Sequence, residues 1–360
     1  HLFMNAAREA DSLTEVAQPA PSRGYDALLL VSFGGPEGPE DVIPFLENVL
    51  RGRNVPRQRL LEVAEHYELF GGVSPINAQN RALLAALVAE LNAHGPPLAV
   101  YWGNRNWHPL LPDTLQQMAD DGVRRELAFV TSAFASYSGC RQYREDIEKA
   151  RLAVGPGAPE IHKLRLFYNH PGFIEPMAER VAAALAQLDE SRRSAARIIF
   201  TAHSLPVAMA RNCAYEAQIR EAARLVSNRL QWSHWEVAYQ SRSGPPSQPW
   251  LEPDIAGRLR ELAEAGQTGP VVLVPIGFLS EHMEVIFDLD VEAAELCRQL
   301  GIEMVRSAVV GTHPRFVQMI RELVEERLAT EPVRLALGDF GPSHDFCPAD
   351  CCLPGSSFKP

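Results

Sequence analysis

Three groups of side chains in this sequence have types and spacings suited to chemistry. The first is one imidazole. Ile198-Ile199-Phe200-Thr201-Ala202-His203-Ser204-Leu205-Pro206 reads as a buried strand that Pro206 stops, so His203 arrives at its carboxyl end. In open α/β sheets ligands gather at that edge, and an imidazole there can carry a proton or a metal near neutral pH. It can equally cap the next helix or bond loop backbone. The second group is acidic. In the helical pattern that starts at Glu281, the residues Glu284, Asp288 and Glu292 recur at i, i+4, i+8 and share one face. Like charges so spaced cost a helix about 0.2–0.5 kcal/mol per pair. A divalent ion would offset that cost, and a row of oxygen donors suits a hard or borderline one. A solvated acidic face is the competing reading. The third group is thiols. Cys347, Cys351 and Cys352 crowd the terminal stretch, and Cys140 lies in Tyr137-Ser138-Gly139-Cys140 after another strand. Four thiolates suit zinc or an iron–sulfur cluster. The alternative is a tail of free thiols. Cys213 and Cys297 fall in helical patterns and read as small buried hydrophobes.

The elements that must position these groups alternate along the chain. Strands are expected at Ala27–Phe33, Leu98–Trp102, Leu127–Thr131, Leu164–Tyr168, Arg197–Thr201, Trp235–Tyr239, Val271–Ile276 and Met304–Val309. Amphipathic helices lie between them, among them Ala78–Leu91, Glu175–Leu188, Val207–Arg229 and Pro314–Leu328. Near-continuous apolar strands alternating with helices predict parallel sheets covered on both faces. Four strands precede Asn169–Gly172 and four follow, so the fold class is α/β with two Rossmann-like halves around a cleft. The divisions are an N-terminal arm expected to be disordered (1–24), a first half (25–168), a second half (169–335) and a cysteine-bearing tail (336–360). The helix after Val271–Ile276 starts at its sheet's carboxyl edge, where Glu284 can face His203 across the cleft.

Composition excludes several classes. The 360 residues are 46% hydrophobic, enough for two cores, and carry a net charge of −11. A general nucleic-acid binder would be basic. The longest clean apolar run, Val271 to Leu279, is far short of the roughly 20 residues of a transmembrane span. Residues 1–24 lack a basic segment followed by an apolar core, so no secretory signal is expected, and a reducing, cytoplasmic setting follows. Phe33-Gly34-Gly35-Pro36 lacks the GxGxxG spacing of dinucleotide sites, and no P-loop is present. Two irregular connections look like binding loops. One carries Arg51-Gly52-Arg53, His66-Tyr67 and Gly71-Gly72-Val73-Ser74-Pro75, and the other runs from Gln240 through Trp250 to Pro253.

Several motifs recur together in one order: Leu30-Val31-Ser32-Phe33-Gly34-Gly35-Pro36, Gly71-Gly72-Val73-Ser74-Pro75-Ile76, Thr201-Ala202-His203-Ser204-Leu205-Pro206, Tyr239-Gln240-Ser241-Arg242 with Pro249-Trp250-Leu251, and Val274-Pro275-Ile276-Gly277-Phe278-Leu279-Ser280-Glu281-His282-Met283-Glu284. From Ala27 to about Leu328 the sequence resembles the ferrochelatases. Arg51-Gly52-Arg53 and Ala64-Glu65-His66-Tyr67 look most like the actinobacterial branch, whose members are thought to insert iron into coproporphyrin III. The resemblance implies two chelatase-type halves around a porphyrin cleft. It implies that His203 and Glu284 handle Fe²⁺ and the pyrrole protons, with neutral His203 as a base held by Glu284 or the two as a relay for iron. It implies that Asp288 and Glu292 guide iron inward, and that Arg53, His66, Tyr67, Ser74 and Tyr143 lie against the porphyrin. It also implies a [2Fe–2S] cluster on Cys140, Cys347, Cys351 and Cys352, and transient contacts with neighbouring haem-pathway enzymes. Protoporphyrin IX as substrate, another tetrapyrrole chelatase, and a non-enzymatic haem or metal carrier are the competing functions.

Overall fold

The computed structural model describes residues 24–267 and 269–355. The arm expected over 1–24 therefore lies, but for Gly24, outside the described residues. Among the described residues there are eight strands, most of them aliphatic runs: β1 (Ala27–Ser32), β2 (Ala99–Asn104), β3 (Arg125–Val130), β4 (Glu160–Lys163), β5 (Arg197–His203), β6 (Trp235–Gln240), β7 (Val271–Val274) and β8 (Met304–Arg306). They make two four-stranded sheets, ordered β2-β1-β3-β4 and β6-β5-β7-β8. Every pairing is parallel, as continuous apolar strands covered on both faces require. The fold is α/β with two Rossmann-like halves.

The halves share a core. The last helix, Pro314–Leu328, packs on Pro171–Leu185 and on Ile76–His94 of the first half. Phe129, Phe167, Phe173 and Phe316 meet ring to ring with centroids 5.1–6.1 Å apart. All four are fully buried or nearly so, and each contributes roughly 1.5–3 kcal/mol by leaving water.

Four expectations are corrected. The strand expected at Leu164–Tyr168 is buried chain outside the sheet, and β4 precedes it. That run crosses from one half to the other, and periodicity alone does not separate such a run from a strand. β7 ends at Val274 because Pro275 has no N–H to continue the ladder. The helix expected over Val207–Arg229 is two, Val207–Ala210 and Tyr215–Arg229. The helix expected from Glu281 begins at Met283, and its middle, Ile286–Ala293, is wound as wider π turns.

Candidate active site

β5 delivers His203 to the cleft, with the imidazole fixed from both sides. Nδ1 lies 2.5 Å from the Ser204 carbonyl, so this nitrogen carries the hydrogen and donates it. The Tyr215 hydroxyl donates to the His203 carbonyl at 2.8 Å. Nε2 is left facing Glu284, whose Oε1 stands 3.3 Å away. The loop after β7 reaches this point because Gly277 has no side chain. A Cβ there would stand 2.7 Å from Ala202, and the Gly277 N–H instead donates to the Thr201 carbonyl at 3.0 Å.

The pair is ionised. Burial disfavours the imidazolium, yet the Glu284 charge and hydrogen bond outweigh it and raise the His203 pKa to about 9. Burial likewise disfavours the carboxylate, yet His203 takes Glu284 down to about 2. With His203 a third exposed and Glu284 nearly half exposed, water at the cleft mouth screens part of this coupling. This coupling favours the protonated imidazole at neutral pH, so His203 must lose its Nε2 proton before it can act as a neutral base.

The acidic line continues outward from Glu284. Gln240 Nε2 donates to the Glu284 carbonyl at 2.8 Å and reaches Asp288 Oδ2 at 3.5 Å. Ser241 donates its hydroxyl to Asp288. Burial raises the Asp288 carboxyl to about 7. Ser241 opposes that shift, and the neighbouring Glu284 and Glu292 charges add to it. Glu284, Asp288 and Glu292 line one cavity of about 730 Å³ together with Arg59, His66 and Arg242. That volume lies in the range of organic-ligand pockets. Trp250 does not pave it: its Nε1 is packed against Gly244, and the residue bridges to Pro206.

The first half closes the site. His66 stacks on Phe287 with centroids 4.0 Å apart and planes 14° apart, joining the helix Arg57–Glu68 to the π turn. Tyr67 packs on Phe45, and burial, then the Glu284 charge, raises its phenol. Burial and the nearby Arg105 lower the Arg53 guanidinium, which also feels Glu284. Ser74 is buried, with its hydroxyl 3.4 Å from the Ile76 N–H. Tyr143 is buried beneath the Arg105 guanidinium, which stands 4.8 Å from its ring and bonds Asp146 at 2.6 Å.

The thiols converge elsewhere. Cys140, Cys347, Cys351 and Cys352 line one cavity of about 460 Å³. Cys213, expected as a buried helical hydrophobe, sits in the break between two helices and lines the same cavity. Its Sγ lies 3.5 Å from the Ala210 carbonyl. The Cys351 and Cys352 sulfurs are 3.6 Å apart, close to the edge of a tetrahedron with metal–sulfur bonds of roughly 2.3 Å. Contacts with Cys347 and Cys352, opposed by burial and aided by Lys163 and Arg144, hold the Cys140 thiol well below its usual range. Arg144 Nε is buried without a hydrogen-bond partner. A thiolate-rich group carrying negative charge fits that surrounding. His344 Nε2, 3.3 Å from the Cys347 sulfur, is a further donor.

The ferrochelatase family model matches residues 25–328. The chain belongs to the ferrochelatase family. A ferrochelatase of Rhodopirellula baltica is 59% identical over 91% of this chain and 93% of its own. The coproporphyrin III ferrochelatase of Frankia alni is 56% identical over 93% and 88%, and that of Streptomyces griseus 50% over 97% of each. SirB from Bacillus subtilis, solved with Fe³⁺, superposes with a TM-score of 0.52 at 13% identity, covering 84% of this chain and 97% of SirB. That likeness concerns the fold alone. No described helix of this ferrochelatase is long and apolar enough to cross a membrane. Arg105, Asp146 and Gln79 carry geometry at the site that their sequence setting does not single out. A single charged or amide side chain, in a helix as for Gln79 and Asp146 or in a loop, has no periodic signature for the partner it meets.

Proposed function

We propose that this ferrochelatase inserts Fe²⁺ into coproporphyrin III to give coproheme, in the haem pathway of the cytoplasm, with neighbouring pathway enzymes as transient partners. The names of the Frankia and Streptomyces relatives support the substrate. The observation that carries the chemistry is the 3.3 Å pairing of His203 Nε2 with Glu284 in a cleft between the halves.

A free-base porphyrin holds two inward N–H groups, so iron enters only as those protons leave. His203 and Glu284 are the groups we assign to this exchange. The His203 imidazolium must release its Nε2 proton before that nitrogen can take Fe²⁺. Glu284 then serves as the oxygen donor beside it, and as iron passes to the ring Glu284 and the freed His203 Nε2 each accept one of the two pyrrole protons. Asp288 and Glu292 extend the approach path along the same face. Two or three mixed nitrogen and oxygen donors hold iron loosely enough to surrender it, unlike a closed four-ligand cage. Arg53, His66, Tyr67, Ser74 and Tyr143 are the side chains we assign to the macrocycle and its propionates, and Arg53 supplies the charge that carboxylates need.

Cys140, Cys347, Cys351 and Cys352 are read as holders of a [2Fe–2S] cluster, with Arg144 and Lys163 offsetting their charge. When bound, such a cluster supplies one-electron redox chemistry.

Anaerobic Fe²⁺ insertion into coproporphyrin III and protoporphyrin IX, run side by side, tests the substrate. A higher kcat/KM for coproporphyrin III is expected. Equal rates, or a preference for protoporphyrin IX, would overturn the assignment.

A further inference from the structure

We propose that Gln79 is a positioning residue that locks the Glu284-bearing turn of the second half onto the first half. The proposal rests on the reading of Glu284 as the carboxylate that handles iron.

Gln79 stands in the first turns of the helix Ile76–His94, just after Ser74. Its Oε1 accepts the Glu281 N–H at 2.8 Å, and its Nε2 donates to the Glu281 carbonyl at 3.4 Å. One side-chain amide thus pairs with both backbone groups of a residue 202 positions away, in the irregular stretch before the Met283 helix turn. Backbone groups sheltered from water need such partners, and a neutral side-chain amide can both donate and accept.

Glu281 is held from the other side as well. Its Oε1 meets Arg306 at 2.7 Å, and Arg306 forks onto Asp290 at 2.8 and 2.6 Å. Its main chain is therefore tied to the first half and its side chain to the second. Beyond it, His282 Nδ1 accepts the Glu284 N–H at 3.2 Å, and Gln240 donates to the Glu284 carbonyl. The peptide groups that aim Glu284 at His203 are anchored in sequence, and Gln79 is the anchor from the first half. Its helix also begins at the Ser74 loop, which closes against Gly35, where a Cβ would stand 2.5 Å from Ile76. The porphyrin-side loop and the iron-side carboxylate are thereby referred to one rigid element.

The test uses the full-length enzyme with anaerobic Fe²⁺ and coproporphyrin III. Gln79→Met keeps length and removes both bonds. The Met variant is expected to lose about 3- to 10-fold in kcat, the effect of one or two ordinary hydrogen bonds. Its porphyrin Kd, read by fluorescence, should stay within about twofold and its melting midpoint within about 2 °C. Wild-type kcat in the Met variant would overturn the proposal. So would a loss that follows the melting midpoint. Glu284→Gln is run in parallel. If it keeps turnover, the reading of Glu284 fails and the proposal with it. If it loses turnover while Gln79→Met does not, the clamp alone is overturned.

Discussion

Ser241 donates its hydroxyl to Asp288 from left-handed backbone, at φ 62°. Among the described residues only Gln231, Ser241 and Cys352 are non-glycine with positive φ. Such backbone costs of order 1–3 kcal/mol and persists where surroundings fix it. Ser241→Ala removes the group that opposes the upward shift of Asp288, already at about 7. The carboxyl then rises further, and the acid limb of the iron-insertion profile moves to higher pH. Ser241→Gly should move that limb equally but unfold about 1 kcal/mol later than Ser241→Ala, because glycine tolerates the backbone. A pH–rate profile and urea melts of both variants check this.

His203→Ala should abolish iron insertion while coproporphyrin III still binds. Anaerobic turnover and porphyrin fluorescence quenching, measured on the same preparation, decide it. Normal turnover would remove His203 from the reaction.

Proton release reports the ionised pair. The His203 pKa is raised above its usual 6.5 to about 9, so the pair's contribution to stability is complete below about 6.5 and is lost as pH rises through 9. Glu284 is depressed from 4.5 to about 2, so its share is present above 4.5 and lost as pH falls through 2. At pH 8 the wild type should release about one proton on taking up Fe²⁺, since the imidazolium must deprotonate to ligate. In Glu284→Gln the histidine falls back toward 6.5 and is already neutral at pH 8, so release should nearly vanish. Weakly buffered anaerobic titration with a pH indicator measures it.

The thiol cavity predicts colour. Protein purified without oxygen should absorb in the visible and contain iron and acid-labile sulfide, and Cys347→Ser should bleach it. A colourless, zinc-bearing protein would overturn the cluster assignment.

Arg165 and Glu326 form a two-bonded pair at 2.8 and 2.7 Å, with side chains only 1% and 5% exposed. It ties the chain after β4 to the last helix. Arg165→Met leaves the buried Glu326 carboxylate with the more distant Arg334 guanidinium, 3.8 Å away, and should cost about 3 kcal/mol in urea unfolding. Adding Glu326→Leu should return most of that loss.

The parallel sheets were legible because apolar runs such as Leu28-Leu29-Leu30-Val31 and Val271-Val272-Leu273-Val274 alternate with amphipathic helices. His203 was legible because Pro206 marks the end of its strand. Its partner Glu284 could be guessed from the acidic spacing, although the π turns that carry Asp288 were not, since no composition announces a widened turn. The coupling of His203 to Glu284 was not legible, because it depends on a 3.3 Å distance that sequence does not contain. Leu164–Tyr168 misled because burial between two halves selects the same residues as burial in a sheet.

The two sheets have matching strand orders, and the register makes the correspondence residue-specific: Ser32 pairs with Asn104 in one and His203 with Gln240 in the other. Each half thus ends its central strand beside a carboxamide, but only one twin bears an imidazole. On the proposed function, reactivity is a graft of a few side chains upon one of two like frames, and the other is left to the task of grip.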